Sequence, residues 1–507
     1  MSRSVLLSLA VLLTAGLSAR ADHTNLEIHH IEGGTLGGKF MVHMHGEPGH
    51  DYAFIPSFTQ GPVTVQGFTL NVDLNLFLLF AGIPGMTGTI PAGTGDLHVH
   101  FPLPSTPALD GVKIHMQAIL FDHTPGKIGQ VSNAASTTLG ANDTVRSTGA
   151  MGNARSLAAV SVLGHKWAHV TGGGNGSLLS PAASATAEYW DPRSESFSAS
   201  SGDMTSARAL HTSTGLSGDK DALIVGGVDG GQTPLASAEI LTGEDRVFAA
   251  TGSLLVARYG HAAVRLQDGR ILVIGGASAF GSTLAQIASA AENSTEIYDP
   301  NTGTFSAGPN LAEPRFLPTA TLLADGRVLV TGGLSNSGGT PALSATAEIF
   351  DPNTGTFGVT IAFGAARFAH QAVLLASGDV LIAGGWASGA TSPSSTGACE
   401  LFDSNTDTFA STGSLNADRA FFGAVRLPMS GKVLVLGGGQ GGVTGASPTA
   451  TIELFDPNTG LWTTSAGQLS AGRLYAVTSD QGHGKVLVSG GDAGTGAIAT
   501  ADTYYGK

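Results

Sequence analysis

Histidine is the residue type in this sequence whose spacing points most directly to chemistry. Of the 16 histidines, 10 precede residue 124. The segment "HMH" carries His43 and His45, "HVH" carries His98 and His100, and "KIHMQ" carries His115. Side chains alternate across a strand, so each pair points to one face, and neighbouring strands would gather up to five imidazoles there. Imidazole is a suitable ligand for zinc or copper, so this face is a candidate metal site. The alternative is that it is a solvated polar face.

Arginines and acids also recur, one of each in every copy of a repeat. At these positions they would form paired, hydrogen-bonded charges. One interpretation is a central ring of arginines that binds an anion or a glycan. We favour pairing within or between repeats, because a feature present in every copy marks the scaffold. The residues are Arg155, Arg208, Arg258, Arg315, Arg367, Arg419 and Arg473, with Glu188, Glu239, Glu296, Glu348, Glu400, Glu453 and Asp502.

The repeat that holds these charges has two further motifs. The segments "STEIYDPNTGTF" (294–305), "TAEIFDPNTGTF" (346–357) and "TIELFDPNTGLW" (451–462) are nearly identical, and each follows a β-branched run ending in Gly-Gly. Each unit is predicted to hold four strands joined by an Asp-Gly turn, a long loop and an Asp-Pro-Asn-Thr-Gly turn. We expect the arginine to open strand one, and the acid to lie in strand three. Units one to seven are numbered by their Gly-Gly pairs, which begin at Gly172, Gly226, Gly275, Gly332, Gly384, Gly437 and Gly490.

These motifs resemble kelch repeats of the bacterial exported type, in the galactose oxidase/kelch propeller superfamily. Unit two departs, with "LTGEDRVF" in place of the Asp-Pro turn, and unit one has "LGHKW" in place of the Asp-Gly turn. The resemblance implies a seven-bladed β-propeller. Because unit seven ends after its third strand, an N-terminal strand in 143–151 would close the last blade. The expected fold class is therefore all-β, with an antiparallel β-sandwich over 22–138 and a kelch-like propeller over 139–507.

Binding is expected where the seven units differ. The loops between strands two and three are long, for example 277–293, 386–397 and 439–450. In an antiparallel unit these loops share one end with the links from strand four to the next strand one. Long loops on a rigid scaffold are where binding residues concentrate. We therefore expect a non-catalytic protein that recognises a protein or a glycan through this long-loop face.

Catalysis is the less favoured interpretation. Galactose oxidase-like copper chemistry needs a Tyr/His cluster and a cysteine joined to a tyrosine, but Cys399 directly precedes a repeated acid. His211, His261 and His370 recur three residues after their arginines, at a position that other units fill with Ala, Pro or Phe, which indicates packing. Neither a Gly-x-Ser-x-Gly nor a His-Glu-x-x-His motif occurs. An extracytoplasmic metal-binding protein or metalloenzyme, using zinc or copper on the N-terminal histidines, is the main alternative.

Charge and the N-terminal segment bear on the partner and on the location. The net charge is -14 and no basic block occurs, which argues against nucleic acid or an anionic membrane surface as partner.

Arg3, the run "VLLSLAVLLTAGL" and Ala19-Arg20-Ala21 predict a signal peptide over 1–21. That run is too short to span a membrane. We expect a secreted, periplasmic or cell-surface protein without membrane insertion after cleavage, and its single cysteine excludes an intramolecular disulfide.

Overall fold

The structure is a computed structural model that describes residues 26–58, 60–65, 68–72, 86–91, 95–122, 127–164, 166–218, 220–243, 245–337 and 339–507. The predicted signal peptide lies outside these residues. The described chain is all-β, with antiparallel sheets throughout. Its described helical segments are α1 (Leu284–Ser289) and one 3-10 turn at Pro107–Leu109. No helix in these ranges combines the length and apolarity needed to cross a bilayer.

Ahead of β11 (Thr144–Ser147), the described residues form ten strands, arranged as two packed sheets and a hairpin. They are β1 (Glu27–Gly33), β2 (Lys39–His45), β3 (Asp51–Ser57), β4 (Gln60–Val65), β5 (Phe68–Val72), β6 (Thr87–Thr89), β7 (Asp96–Pro102), β8 (Lys113–Phe121), β9 (Ile128–Val131) and β10 (Ala135–Thr138). The first sheet has the order β1-β2-β7. The second has the order β10-β8-β3-β6, with β9 paired to β8, and β4 pairs with β5.

Alternating side chains explain how the first sheet divides its two faces. Phe40, Val42 and Met44 on β2 are buried and join one apolar cluster with Phe54 and Met116 of the second sheet. The intervening histidines of β2 are only partly buried. One face of the β1-β2-β7 sheet is therefore core, and its histidines lie on the other face.

The repeats form four-stranded antiparallel sheets. The strands of unit one are β12 (Ala159–Leu163), β13 (Trp167–Thr171), β14 (Ala187–Asp191) and β15 (Ser196–Ala199), and those of unit two are β16 (Thr212–Gly215), β17 (Asp221–Val225), β18 (Ala238–Thr242) and β19 (Val247–Ala250). The strands of unit three are β20 (Ala262–Arg265), β21 (Ile271–Ile274), β22 (Thr295–Asp299) and β23 (Thr304–Ala307). The strands of unit four are β24 (Thr319–Leu322), β25 (Val328–Thr331), β28 (Thr346–Asp351) and β29 (Thr356–Phe357). The short β30 (Ile361–Ala362) also pairs with β28.

The last three units continue the pattern. Their strands are β32 (Gln371–Leu374), β33 (Val380–Ala383), β36 (Cys399–Asp403), β37 (Thr408–Ser411); β38 (Gly423–Arg426), β39 (Val433–Leu436), β42 (Ile452–Asp456), β43 (Leu461–Thr464); and β44 (Val477–Asp480), β45 (Lys485–Ser489), β46 (Ala501–Tyr505). In unit seven the fourth strand is β11 (Thr144–Ser147), which precedes unit one in sequence and pairs with β46.

Short strands also occur within the long loops and before strand one of unit five. They are β26 (Leu334–Ser337) and β27 (Thr340–Leu343) in unit four, β31 (Arg367–Phe368), β34 (Trp386–Ala387) and β35 (Ser394–Ser395) in unit five, and β40 (Gly439–Gln440) and β41 (Ser447–Pro448) in unit six. Because α1 lies in the long loop of unit three, the long loops of units three to six all hold regular structure of their own.

The seven sheets contact one another in a closed cycle. The first strand of each unit contacts the first strand of the next, and β44 of unit seven contacts β12 of unit one. An apolar cluster fills each junction, including one with Trp190 and Leu487 between units seven and one. The second glycine of each pair also donates its N–H across the junction, as Gly276 does to Arg315 O at 2.8 Å and Gly491 to Arg155 O at 2.9 Å.

The first glycine of each pair is required by the same junction. Gly275 has a φ of +63°, and a Cβ placed there would collide with the carbonyl oxygen of Arg315 in the next unit. Only glycine adopts this backbone without strain and leaves room for that oxygen. The repeated Gly-Gly is therefore a contact between neighbouring sheets and not a ligand-binding motif.

The N-terminal sheets contact the short-turn end of units one and seven. Ser136 N donates to Arg193 O at 2.7 Å, and Thr138 N donates to Glu195 Oε1 at 2.9 Å. His483 Nδ1 lies 3.1 Å from Glu32 Oε2. Arg193 and Glu195 belong to the turn between strands three and four, and His483 to a turn between strands one and two. These contacts leave the long-loop end on the opposite side.

Candidate functional site

The repeated arginines form ion pairs with the acid of their own unit. The prediction that each arginine opens strand one is wrong: each lies in the link before that strand, as Arg258 precedes β20 by four residues. Arg367 begins the short β31 within its link. All seven are essentially excluded from solvent. The N–O distances are 2.8 Å for Arg155–Glu188 and Arg208–Glu239, 2.9 Å for Arg258–Glu296, 3.0 Å for Arg315–Glu348 and Arg367–Glu400, and 2.6 Å for Arg419–Glu453 and Arg473–Asp502.

Unit three shows how completely these charges are used. Arg258 donates to Gly275 O at 2.8 Å, Ser294 O at 3.0 Å and Glu296 Oε1 at 2.9 Å. Glu296 Oε2 accepts from Leu255 N at 2.7 Å. The pair thus ties the link before strand one to strands two and three of its own unit. Because the Arg258–Glu296 pair is buried and its polar groups bond to each other and to the backbone, it presents no accessible donor to a ligand.

The repeated histidines bridge neighbouring units through hydroxyl groups. His211 Nε2 lies 2.9 Å from Thr171 Oγ1 and His261 Nε2 3.0 Å from Thr212 Oγ1. His370 Nε2 lies 2.8 Å from Thr331 Oγ1. Burial, together with the nearby repeated arginines, lowers the pKa of each of these histidines to about 3. The three imidazoles are therefore neutral at pH 7, as expected for packed polar groups.

Replacing His370 with Phe, the residue that unit six carries at this position, should weaken the dependence of stability on acid. In the unfolded chain a histidine is protonated near its ordinary pKa of 6.5, whereas in the folded chain the pKa of His370 is about 3. Stability is therefore present in full above pH 6.5 and falls as the pH drops below it. Between pH 6 and 4, the unfolding free energy measured in urea should fall less steeply with decreasing pH in His370→Phe than in the unaltered chain. The two slopes should differ by about 1.4 kcal/mol per pH unit. Parallel pH curves for the two proteins would contradict the assignment.

Cys399 is a packed residue. It joins the apolar cluster between units five and six, with Trp462 and Phe422 among its members. Its Sγ lies 3.3 Å from Gly397 O, and burial raises its pKa to about 11. A thiol that holds its proton this firmly is a poor nucleophile and a poor metal ligand.

Four of the five proposed metal ligands lie on the outer face of the β1-β2-β7 sheet. His43 stands directly opposite His98, and their rings stack with centroids 4.1 Å apart. His45 lies on the same face, whereas His100 approaches His483 of unit seven, with centroids 5.7 Å apart. The fifth residue does not join them. His115 is on β8 in the second sheet, opposite Ser136, because β8 pairs with β3 and β10 and not with β2 or β7.

The structure adds residues to this histidine face that the sequence did not single out. An irregularity in β1 between Ile28 and His30 brings both His29 and His30 to His43, with centroid distances of 4.9 and 5.1 Å. Glu32 Oε1 lies 3.0 Å from His30 Nε2. Burial would raise the pKa of Glu32, but hydrogen bonds from His30 and His483 hold it well below its ordinary value.

Asp96 supplies the carboxylate that could not be identified from the sequence. Its Oδ1 lies 3.0 Å from His45 Nδ1 and 3.7 Å from His43 Nε2. The signal was the segment "DLHVH", in which Asp96 is two residues before His98 and therefore shares its face. In the described part of the chain, no three His, Cys, Asp or Glu side chains already surround a common point as metal ligands do.

The long loops contact one another and form a continuous layer at their end of the repeats. Helix α1 of unit three packs against the β26–β27 hairpin of unit four. Trp386 Nε1 of unit five donates to Gly441 O of unit six at 3.0 Å. Ala497 N of unit seven donates to Asn175 Oδ1 of unit one at 2.8 Å. The loops are therefore ordered by contacts between units.

An apolar ring lies at the centre of this layer. In each unit the residue two positions after the arginine has a positive φ between 49° and 60°. Leu317 N donates to Gly260 O at 2.8 Å, and Gly260 N to Leu210 O at 3.0 Å, so the ring links units through its backbone. Most of its side chains join the apolar cluster beneath the loops. Its members are Leu157, Leu210, Gly260, Leu317, Ala369, Phe421 and Tyr475.

Charge is unevenly distributed between the two ends of the repeats. The long loops and the links from strand four to strand one contain no Lys or Arg other than the seven buried arginines. The remaining cations of the repeats lie on strands or in short turns, as Arg270 and Lys432 do. The same loops and links carry carboxylates outside the ion-pair set. These are Asp203, Asp229, Glu292, Glu313, Asp418 and Asp492, of which Glu313 also pairs with Arg315 at 2.9 Å.

Comparison with known proteins adds little to this description. No family model matches the sequence. Among solved structures, "Structure of YjhT" is similar at 11% sequence identity with a TM-score of 0.47, and the match covers 62% of this chain and 99% of that chain. A likeness at this level carries no statement about function.

Proposed function

We propose that this chain is an exported, non-catalytic binding protein, a seven-bladed kelch-like β-propeller behind an N-terminal β-sandwich. It recognises a protein or glycan ligand through the long-loop face. The observation that carries the proposal is that the parts of the repeats that differ most, the loops between strands two and three, form one ordered layer. Binding surfaces are commonly built from such loops on a rigid scaffold.

The cyclic contacts of the sheets support the propeller. First strands contact around a closed cycle from β12 to β44, and the same Gly-to-Arg hydrogen bond crosses each junction, including that between Gly491 and Arg155. The pairing of β11 with β46 supports closure of the last blade by a strand from the N-terminal side. A closed ring leaves no edge between blades for other chains to pair with.

The charge of the long-loop face favours a neutral or cationic ligand. Its arginines are neutralised by their partner acids, and its other charged side chains are carboxylates. A phosphorylated or sulfated polymer would meet repulsion there. A neutral glycan or a lysine-rich protein surface would not.

Two exposed positions on helix α1 provide a test of the binding face. Ala285 and Ser289 are both exposed on α1, so Ala285→Arg/Ser289→Arg adds bulk and charge without disturbing the buried Leu284 and Ile287. The full chain should bind at least one member of a neutral-glycan array or a panel of purified extracellular proteins. This double variant should weaken that binding at least tenfold, measured by biolayer interferometry.

The matched control uses the opposite end of the same unit. Asn301 and Thr304 are exposed near the turn between strands three and four. Asn301→Arg/Thr304→Arg should leave the affinity unchanged. Equal loss in both double variants, binding only to sulfated glycans or DNA, or binding to neither probe set would refute the proposal.

A further inference from the structure

We propose that the junction between units one and two binds an internal water molecule through His169, Ser161 and Ser213. The site lies between the sheets of two neighbouring units and not on the long-loop face. It therefore does not depend on the binding function proposed for that face.

His169 is a buried imidazole whose polar atoms are unused. It is the middle residue of β13 and is fully excluded from solvent. Neither Nδ1 nor Nε2 has a hydrogen-bond partner among the residues that the structure describes. Burial and the charge of Arg246 lower the pKa of His169 to about 4, so at pH 7 the neutral ring carries one N–H donor and one acceptor nitrogen. Leaving both unpaired is unfavourable, because each has lost its hydrogen bonds to bulk water.

Two serine hydroxyls in the same condition border this junction. Ser161 stands directly opposite His169 in the pairing of β12 with β13, so both side chains point to one face. That face is turned to unit two, since Leu163, two residues after Ser161, packs with Ile224 of β17. Ser213 stands opposite Ile224 and therefore points back at unit one. The Oγ atoms of both serines are buried and have no partner in the described chain.

The other units show that these polar groups are departures from apolar packing. His169 lies three residues before the first glycine of its pair, where each of the other six units has leucine. Ser213 lies five residues after its arginine, where units three to six have alanine. The two departures meet across a single junction, and a polar ligand held between them accounts for both. The leucines are Leu223, Leu272, Leu329, Leu381, Leu434 and Leu487, and the alanines are Ala263, Ala320, Ala372 and Ala424.

Water is the ligand that fits these groups. It offers two donors and two acceptor sites, so one molecule can bond to a ring nitrogen and to a serine hydroxyl at the same time. An internal water needs two to four polar partners. Two ring nitrogens and two hydroxyl oxygens supply that number. The site is also closed, because β12 and β16 are in contact, and a small neutral ligand suits a closed site that contains no charged side chain of its own.

The direct test is a crystal structure of the unaltered chain at a resolution that places ordered water. It should show a water oxygen about 2.7–3.2 Å from a ring nitrogen of His169 and from at least one of the two serine hydroxyls. In solution, oxygen-17 relaxation dispersion should count at least one fewer long-lived water in His169→Leu than in the unaltered chain. A dry site, or a direct hydrogen bond between His169 and either serine, would overturn the proposal.

Thermal unfolding tests whether the three side chains act through one ligand. Ser161→Ala/Ser213→Ala leaves the imidazole without the other groups that hold the water, so its Tm should fall below that of the unaltered chain. Adding His169→Leu to this double variant should restore the Tm, because no unpaired polar group is then left at the junction. An unchanged Tm in the double variant, or no recovery in the triple variant, would contradict a shared water.

Leu272→His is the matched control at the equivalent position of unit three. Leu272 stands opposite Val264 and packs in an apolar cluster with Val330 and Ala320 of unit four. An imidazole there meets no hydroxyl that could share a water, so Leu272→His should lower the Tm by about 5 °C or more. If this variant kept its Tm, an unpaired imidazole would be tolerated at any junction, and His169 would no longer require a ligand.

Discussion

Replacing Arg258 with Met should destabilise the repeats by about 3–5 kcal/mol, the cost of leaving one partner of a buried ion pair without the other. Arg258 is fully buried, and the carboxylate of Glu296 is also excluded from solvent. The substitution removes the hydrogen bonds to Gly275 O and Ser294 O as well as the ion pair. Only backbone N–H groups, Leu255 N among them, remain to stabilise the buried carboxylate.

The double variant separates the pair from its surroundings. In Arg258→Met/Glu296→Leu no charge is left behind, so the double variant should cost less stability than Arg258→Met alone. Arg270→Met is the control, because Arg270 forms a half-exposed pair with Asp268 and should change stability by less than about 1 kcal/mol. Urea unfolding of the four proteins makes the measurement. Retained stability in Arg258→Met together with lost ligand binding would instead identify the arginines as a binding ring.

The repeat determines how much of the architecture can be read from the sequence. Strand order within a unit follows from Gly-Gly, the repeated acid and the Asp-Pro turn, because each marks a strand end or a strand face. Helix α1 lies within a segment that the sequence predicts to be a long loop. Thr283, whose side chain accepts from Gln286 N, caps it, and Leu284, Ile287 and Ala288 are its buried residues. A cap followed by apolar residues at i, i+3 and i+4 was the available signal.

The histidine face shows where prediction from sequence reaches its limit. Alternation alone places His43 with His45 and His98 with His100, and the structure puts both pairs on one sheet. Which strands become neighbours is decided by long-range pairing, and this separates His115 from the others. The contribution of His29 depends on a register shift in β1, a feature that periodicity cannot reveal.

Departures from the repeat mark specific contacts. The last residue of the turn between strands three and four has a positive φ, and units three, four and six place glycine there. Units one, two and five have Glu195, Arg246 and Asp407 instead, in a backbone conformation that costs a non-glycine residue roughly 1–2 kcal/mol. Arg246 stacks on Trp167 at 4.1 Å, and Asp407 pairs with Arg327 at 2.8 Å. Each departure is thus accompanied by a contact that glycine could not make.

Glu195 makes the most buried of these contacts and joins the N-terminal sheets to the repeats. It accepts hydrogen bonds from Thr138 and from Lys485, and the ammonium of Lys485 lies 5.6 Å from the rings of both Trp190 and Tyr505. Burial alone would raise the pKa of Glu195. The charge of Lys485 and the hydrogen bonds from Lys485 and Thr138 lower it instead from 4.5 to about 2.

Glu195→Gly should therefore remove contacts equivalent to about 3 kcal/mol at pH 7, partly offset by relief of the positive φ. A carboxylate with a lowered folded-state pKa stabilises fully above its unfolded pKa of 4.5 and loses that effect as the pH falls toward 2. The difference in unfolding free energy between the variant and the unaltered chain should accordingly shrink between pH 4.5 and 2. At pH 7, exchange of the Ser136 and Thr138 amide protons should accelerate by roughly 100-fold.

Asp407→Gly is the matched control, because it makes the same backbone change in the equivalent turn of unit five. It relieves the same positive φ but breaks only a partly exposed ion pair with Arg327, so its net effect should stay below about 1 kcal/mol. The difference between the two variants then isolates the contacts of Glu195 from the conformational effect of glycine. Equal stability of the two variants, or unchanged exchange at Ser136 and Thr138, would show that Glu195 does not hold the N-terminal sheets to the repeats.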